Sequence, residues 1–154
     1  MPHRALQIVQ QLKTLHQASA NFALVSIFRD REEMLDQAAE HLPAINITMG
    51  PDVPREEEGQ SNMAFYDSEL EVVVTLFAGA ADSDTLVDEL MELRRTSAII
   101  LWNGGDPSLG LAFVSLPVYG GAAAPDLSDR GKRLVGRLDT RWTIKYRMNQ
   151  SDPA

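Results

Sequence analysis

The period of the hydrophobic pattern changes several times along the chain, and each change predicts a new element. Ala5, Ile8, Val9, Leu12 and His16 recur at helical spacing, behind a proline at position 2 that suits a first turn. Two β-prone runs follow, Ala23 to Phe28 and Ala44 to Met49, the second expected to stop at Gly50-Pro51. Between them Met34, Leu35, Ala38 and Leu42 fit a short helix within Asp30 to His41. Leu70, Val72, Val74 and Leu76 alternate with Glu69, Glu71, Val73 and Thr75, the period-two pattern of a strand with one buried face. Leu86, Leu90, Leu93 and Ile100 then return to helical spacing, with Asp82 or Ser83 placed to cap the helix and Gly104-Gly105 beyond its end.

A shorter strand is expected from Leu111 to Tyr119. Its Pro117 cannot donate to a ladder, which places it at an edge or a strand end. A Gly-, Ala-, Pro- and Asp-rich loop leads to the clearest strand, in which Leu138, Thr140, Trp142, Ile144, Tyr146 and Met148 alternate with Arg137, Asp139, Arg141, Thr143, Lys145 and Arg147. The first set is expected to pack with Leu70, Val72 and Val74, and the second to meet solvent or a partner. The order of elements predicts an α+β fold, a mainly antiparallel β-sheet with two main helices packed on it. One domain is expected over residues 1–149, with Gln150 to Ala154 as a flexible tail.

Composition agrees with a folded domain. The 154 residues are 44% hydrophobic and 23% charged, near globular averages. The absence of cysteine excludes disulfides, thiolate nucleophiles and Cys-type zinc sites, and fits a cytoplasmic origin. No stretch approaches the roughly 20 apolar residues of a membrane span, and residues 1–7 lack a signal-peptide pattern. The Asn46-Ile47-Thr48 sequon therefore reads as ordinary strand residues.

Charge is less evenly spread. Residues 30–92 hold 17 acids against two bases, whereas residues 129–147 hold seven bases against two acids. Within the acidic part, Pro51 to Asn62 carries two prolines, Gly59 and Glu56-Glu57-Glu58, which predicts an exposed, mobile loop that orders against a partner. Opposite charges on two surfaces of one chain suit a head-to-tail ring, where the donating and receiving surfaces differ. The expected interface residues are Arg55, Glu56, Glu57 and Glu58 on the loop and Arg137, Arg141, Lys145 and Arg147 on the last strand.

No motif for chemistry accompanies this pattern. The consecutive glutamates of a loop would diverge, and His3, His16 and His41 lack metal-ligand spacing and read as surface or boundary residues. Asp82-Ser83-Asp84 lacks the glycine and terminal glutamate of a calcium loop, and Gly131-Lys132-Arg133 lacks the frame of a phosphate loop. An enzyme is not expected, nor is any cofactor. The acidic remainder also argues against the basic strand as a nucleic-acid surface.

The order of segments resembles the tail terminator family of long-tailed bacteriophages, the minor tail protein U-like proteins. The resemblance rests on the N-terminal helix, the strand leading into Val25-Ser26-Ile27-Phe28-Arg29-Asp30-Arg31, and Leu42-Pro43-Ala44-Ile45-Asn46-Ile47. It extends through the acidic loop, the Leu70 to Phe77 strand, the Asp84 to Leu93 helix and the closing Arg141-Trp142-Thr143-Ile144-Lys145-Tyr146-Arg147 strand. It implies a structural virion protein, made in the host cytoplasm. Such a protein forms a ring of six copies on the head-proximal end of the tail tube, ends tube growth and offers a surface for head joining. The implied partners are a second copy of itself, the major tail tube protein and the head-tail connector protein, with genomic DNA only passing through the lumen and no membrane contact. A head-tail connector or tail completion adaptor, or a small ligand-binding α+β domain, are the competing expectations.

Overall fold

The computed structural model describes residues 3–35, 39–54, 65–102, 108–129 and 134–149. In chain order the elements are α1 (Arg4–Gln17), β1 (Leu24–Ile27), α2 (Arg31–Leu35), a 3-10 turn (Ala39–His41), β2 (Ala44–Pro54), β3 (Phe65–Ala80), α3 (Ser83–Trp102), β4 (Val114–Ala122), β5 (Asp126–Asp129) and β6 (Leu134–Asn149). The six strands form one sheet in the order β1-β2-β3-β6-β4, with β5 pairing β6 beyond the end of β4. Every pairing is antiparallel except β1 with β2, so the sheet is mixed and the fold is α+β.

Alternation fixes the register of the two long central strands. Leu70 lies opposite Ile144, Val72 opposite Trp142, Val74 opposite Thr140 and Leu76 opposite Leu138, and all of these side chains are buried on one face. Onto that face pack Ile8, Val9 and Leu12 of α1 and Leu86, Leu90 and Leu101 of α3. Gly136 lets α3 approach: a Cβ there would sit 2.8 Å from a terminal methyl of Leu90 and 3.0 Å from Cγ of Leu86. The start of α3 is fixed by Asp82, whose Oδ1 accepts from the Thr85 amide at 2.8 Å. These hydrogen bonds hold the Asp82 carboxyl below its usual range.

The other face of the sheet is covered only at one end. Met34 and Leu35 of α2 close over Phe77, Val135 and Ala44, a small second core beneath residues whose parity points them away from α1 and α3. Phe77, on the outward side of the β3 alternation, is buried for this reason, while the buried Thr75 on the same side donates its hydroxyl to Asp139 at 2.9 Å.

Three expectations from the sequence are corrected. Gly50-Pro51 does not stop the second strand: the register slips between Met49 and Asp52, a bulge takes up the proline, and β2 runs on to Pro54. The first four residues of the expected 51–62 loop are therefore strand, anchored where the Asp52 carboxylate accepts from the Tyr146 hydroxyl at 2.5 Å; residues 55–62 lie outside the described residues. A further short strand pair, β5 with β6, stands where only loop was expected. His16 is a core residue with no exposed surface, its ring between the Leu12 carbonyl and the Ser97 hydroxyl, whereas His3 caps α1 by accepting from the Ala5 amide at 3.0 Å.

Candidate interaction surfaces

The outward face of β6 carries four of the residues expected at an interface. Arg141 and Arg147 are exposed, and Arg137 and Lys145 are half-buried. Register sets what they meet. Across the strand pair Arg147 lies opposite Asp67 and Lys145 opposite Glu69, while Glu71 sits one diagonal step from Arg141. Arg147 Nε lies 2.9 Å from Asp67 Oδ1 and Arg141 Nη1 lies 3.9 Å from Glu71 Oε1. Arg137 reaches Asp126 at 3.4 Å and Asp139 at 4.0 Å. The hydrogen bond and charge of Asp67 raise the Arg147 pKa further above its ordinary value.

The separation of charge along the sequence is therefore partly bridged within the chain. β3 brings acids of the 30–92 segment beside the bases of β6, so the bipolar pattern does not by itself require a neighbouring subunit. Arg141 and Arg147 thus have acidic neighbours on β3, and Arg137 has them at Asp126 and Asp139 of the basic segment itself. The other expected interface residues, Arg55, Glu56, Glu57 and Glu58, lie outside the described residues, as does the 150–154 tail.

Beside the end of this ladder lies an open recess of about 520 Å³, lined by Arg4, Asp67, Phe113, Lys145 and Arg147 among others. Its shape is held by Arg4, whose guanidinium bonds the Arg147 carbonyl and lies 4.8 Å from the Phe113 ring centroid. Mixed charge and width make it a polar rim. Among the described residues no group of three or more His, Asp or Glu is placed to hold a metal ion, and no helix is long and apolar enough to cross a membrane.

The apolar surface is more distinctive. A groove of about 300 Å³ opens between α3 and the β4 edge, lined by Met91, Ala98, Trp102, Tyr119 and Trp142 and rimmed by Arg94 and Arg95. Met91, Trp102 and Tyr119 are exposed there, with Ile99 and Val118 as further exposed apolar residues on the same two elements. Arg94 stacks on the Tyr119 ring at 5.2 Å, and Tyr119 in turn packs against Trp142 at a centroid distance of 5.2 Å. At the base, the Trp142 indole N–H is buried without a hydrogen-bond acceptor, the one such side-chain atom among the described residues.

A second exposed apolar set lies at the opposite edge of the sheet, made by Phe28 at the end of β1 and Met49 and Val53 on β2. Phe28 is half exposed at 46% and adopts φ 57°, a left-handed conformation that is rare for a bulky residue. The buried Asn46 secures that turn, its Oδ1 accepting from the Arg29 amide at 3.2 Å and its Nδ2 donating to the Arg29 carbonyl at 2.9 Å. The Phe28 amide donates to the Ile47 carbonyl at 3.0 Å, which leaves the ring projecting from a fixed backbone.

The sequence held a signal for the groove. Met91, Arg95, Ala98 and Trp102 follow helical spacing and form a second stripe beside the Leu86, Leu90, Leu93 stripe that defines the core. Nothing in the residues around Phe28 announces its backbone conformation. No protein-family model matches the chain, and a search of curated proteins finds no match.

Proposed function

We propose that the chain is a tail terminator: a structural virion protein that closes the head-proximal end of a phage tail tube as a ring, ends tube growth and presents a surface for head joining. The observation that carries the reading is the placement of exposed apolar side chains at both ends of one sheet. Phe28, Met49 and Val53 lie at the β1–β2 edge, and Met91, Trp102 and Tyr119 at the α3–β4 edge. Two different sticky surfaces on opposite sides of a subunit are what a head-to-tail ring needs, whereas a two-fold dimer uses one patch twice. The reading also rests on the resemblance of the sequence to that family. The partners under this reading are further copies of the chain, the major tail tube protein and the head-tail connector.

Disrupting the gene in the phage that carries it tests the proposal. Terminator function gives tails of uncontrolled length and heads left unjoined, both reversed by supplying the protein. Tails of normal length with heads still unjoined would instead mark a connector. A second reading, a small-ligand domain, is favoured by the groove itself, whose volume falls at the low end for ligand pockets and whose indole N–H lacks an acceptor. Thermal shift against apolar carboxylic acids separates the two, since only a ligand domain gains stability from the free compound.

A further inference from the structure

We propose that Phe28 of one copy seats in the α3–β4 groove of the next, so that a ring closes by repetition of a single aromatic knob and hole. The inference rests on the ring reading above and specifies its interface. β1 and β4 are the outermost strands of the five-strand path, so knob and hole lie at opposite edges of the sheet, four strand spacings or roughly 19 Å apart at about 4.8 Å each. A surface that donates and a different surface that receives, set on opposite edges, generate a heterologous contact.

The groove is suited to this occupant in size, polarity and charge. An apolar cavity of about 150 Å³ accepts a benzene ring. The groove, at about 300 Å³, therefore has room for the Phe28 ring and part of the backbone turn that carries it. Its walls are aromatic and thioether surfaces, Trp102, Tyr119 and Met91, which pair well with an inserted ring. Directly after the knob the chain carries Asp30, Glu32 and Glu33 against Arg29 and Arg31, and Arg94 and Arg95 stand at the rim that would receive these acids. The knob is also pre-set: the left-handed backbone at Phe28 is held by Asn46 before any partner arrives, so little conformational freedom is lost on docking.

Because the chain has no cysteine, cross-linking gives a clean test. An Arg29→Cys, Arg95→Cys double variant, which keeps Phe28 and the apolar groove walls and puts one thiol beside the knob and one at the rim of the hole, is expected to give a ladder of covalent oligomers on a denaturing gel when treated with a short bismaleimide. Each single variant is expected to remain a monomer. A ladder absent from the double variant, or covalent dimers of Arg29→Cys alone, overturns the proposal, the latter because knob would then meet knob. Folding is controlled by a second measurement on two complementary variants, Phe28→Asp and Ala98→Arg. Neither should associate alone, but an equimolar mixture should form one-to-one dimers and nothing larger, since each pair retains one intact knob and one intact hole. Lack of a dimer in the mixture counts against the inference even if tube capping by the wild type is intact; a dimer from protein that never caps a tube would sink the terminator reading and leave this interface standing.

Discussion

His16 links α1 to α3 through the core, and its protonation can be separated from every other acid-sensitive group. The Leu12 carbonyl, 2.7 Å from Nδ1, can only accept, so Nδ1 carries the proton and Nε2 accepts from the Ser97 hydroxyl at 2.9 Å. Burial lowers the imidazole pKa to about 4, against a smaller opposing effect of the Leu12 hydrogen bond. An unfolded histidine takes its proton near 6.5, so stability from neutral His16 is complete above that pH. It is lost as pH falls from 6.5 toward 4, and levels off below. Integrating between those two pKa values, roughly 2.5 kcal/mol is gone by about pH 4.5. The assay is urea unfolding of the wild type and His16→Gln at about pH 7.5 and 4.5, where the carboxylates common to both proteins cancel in the difference. The wild-type advantage is expected to shrink by about 2.5 kcal/mol on acidification. Parallel losses in the two proteins would refute the buried, neutral assignment.

Two further perturbations probe the sheet. Trp142→Ala removes a ring that packs on Tyr119 and the apolar face of β3, and should cost about 3 to 5 kcal/mol in urea unfolding; less than about 1 would contradict its burial. Reversing Arg141 and Lys145 to glutamate sets like charges against Glu71 and Glu69 of the same chain, so the unfolding midpoint should drop at low salt and recover toward about 1 M. An unchanged low-salt midpoint would show that the cross-strand ladder contributes nothing to the fold.

Much of this architecture was legible because period-two alternation is a strong signal in long strands. The inward set of β6 and its partners on β3 were assigned residue by residue from the sequence, and each lies buried. Gly50-Pro51 misled because a proline in an antiparallel pair is compatible with a bulge, and only the partner strand decides between bulge and stop. His16 followed the apolar stripe of α1, yet its burial needed Ser97, a residue 81 positions away whose hydroxyl completes the hydrogen bonding. The neighbours of the charge blocks were not legible. Block counts along a chain ignore which strands lie side by side, and β3 beside β6 turns separated charges into neighbours. Of the interaction surface, the second stripe of α3 was readable, whereas Phe28 depends on a backbone dihedral that no residue pattern encodes.

Tube growth in the presence of the purified protein tests the central claim most directly. Under the terminator reading, the tail tube protein of the phage that carries this gene would be polymerised with and without the 17.0 kDa chain, and tube lengths and ends measured by electron microscopy. A terminator stops elongation at one end and leaves there a closed ring, six copies by the family resemblance. Tubes that lengthen unchanged at both ends with the chain in excess would contradict the assignment.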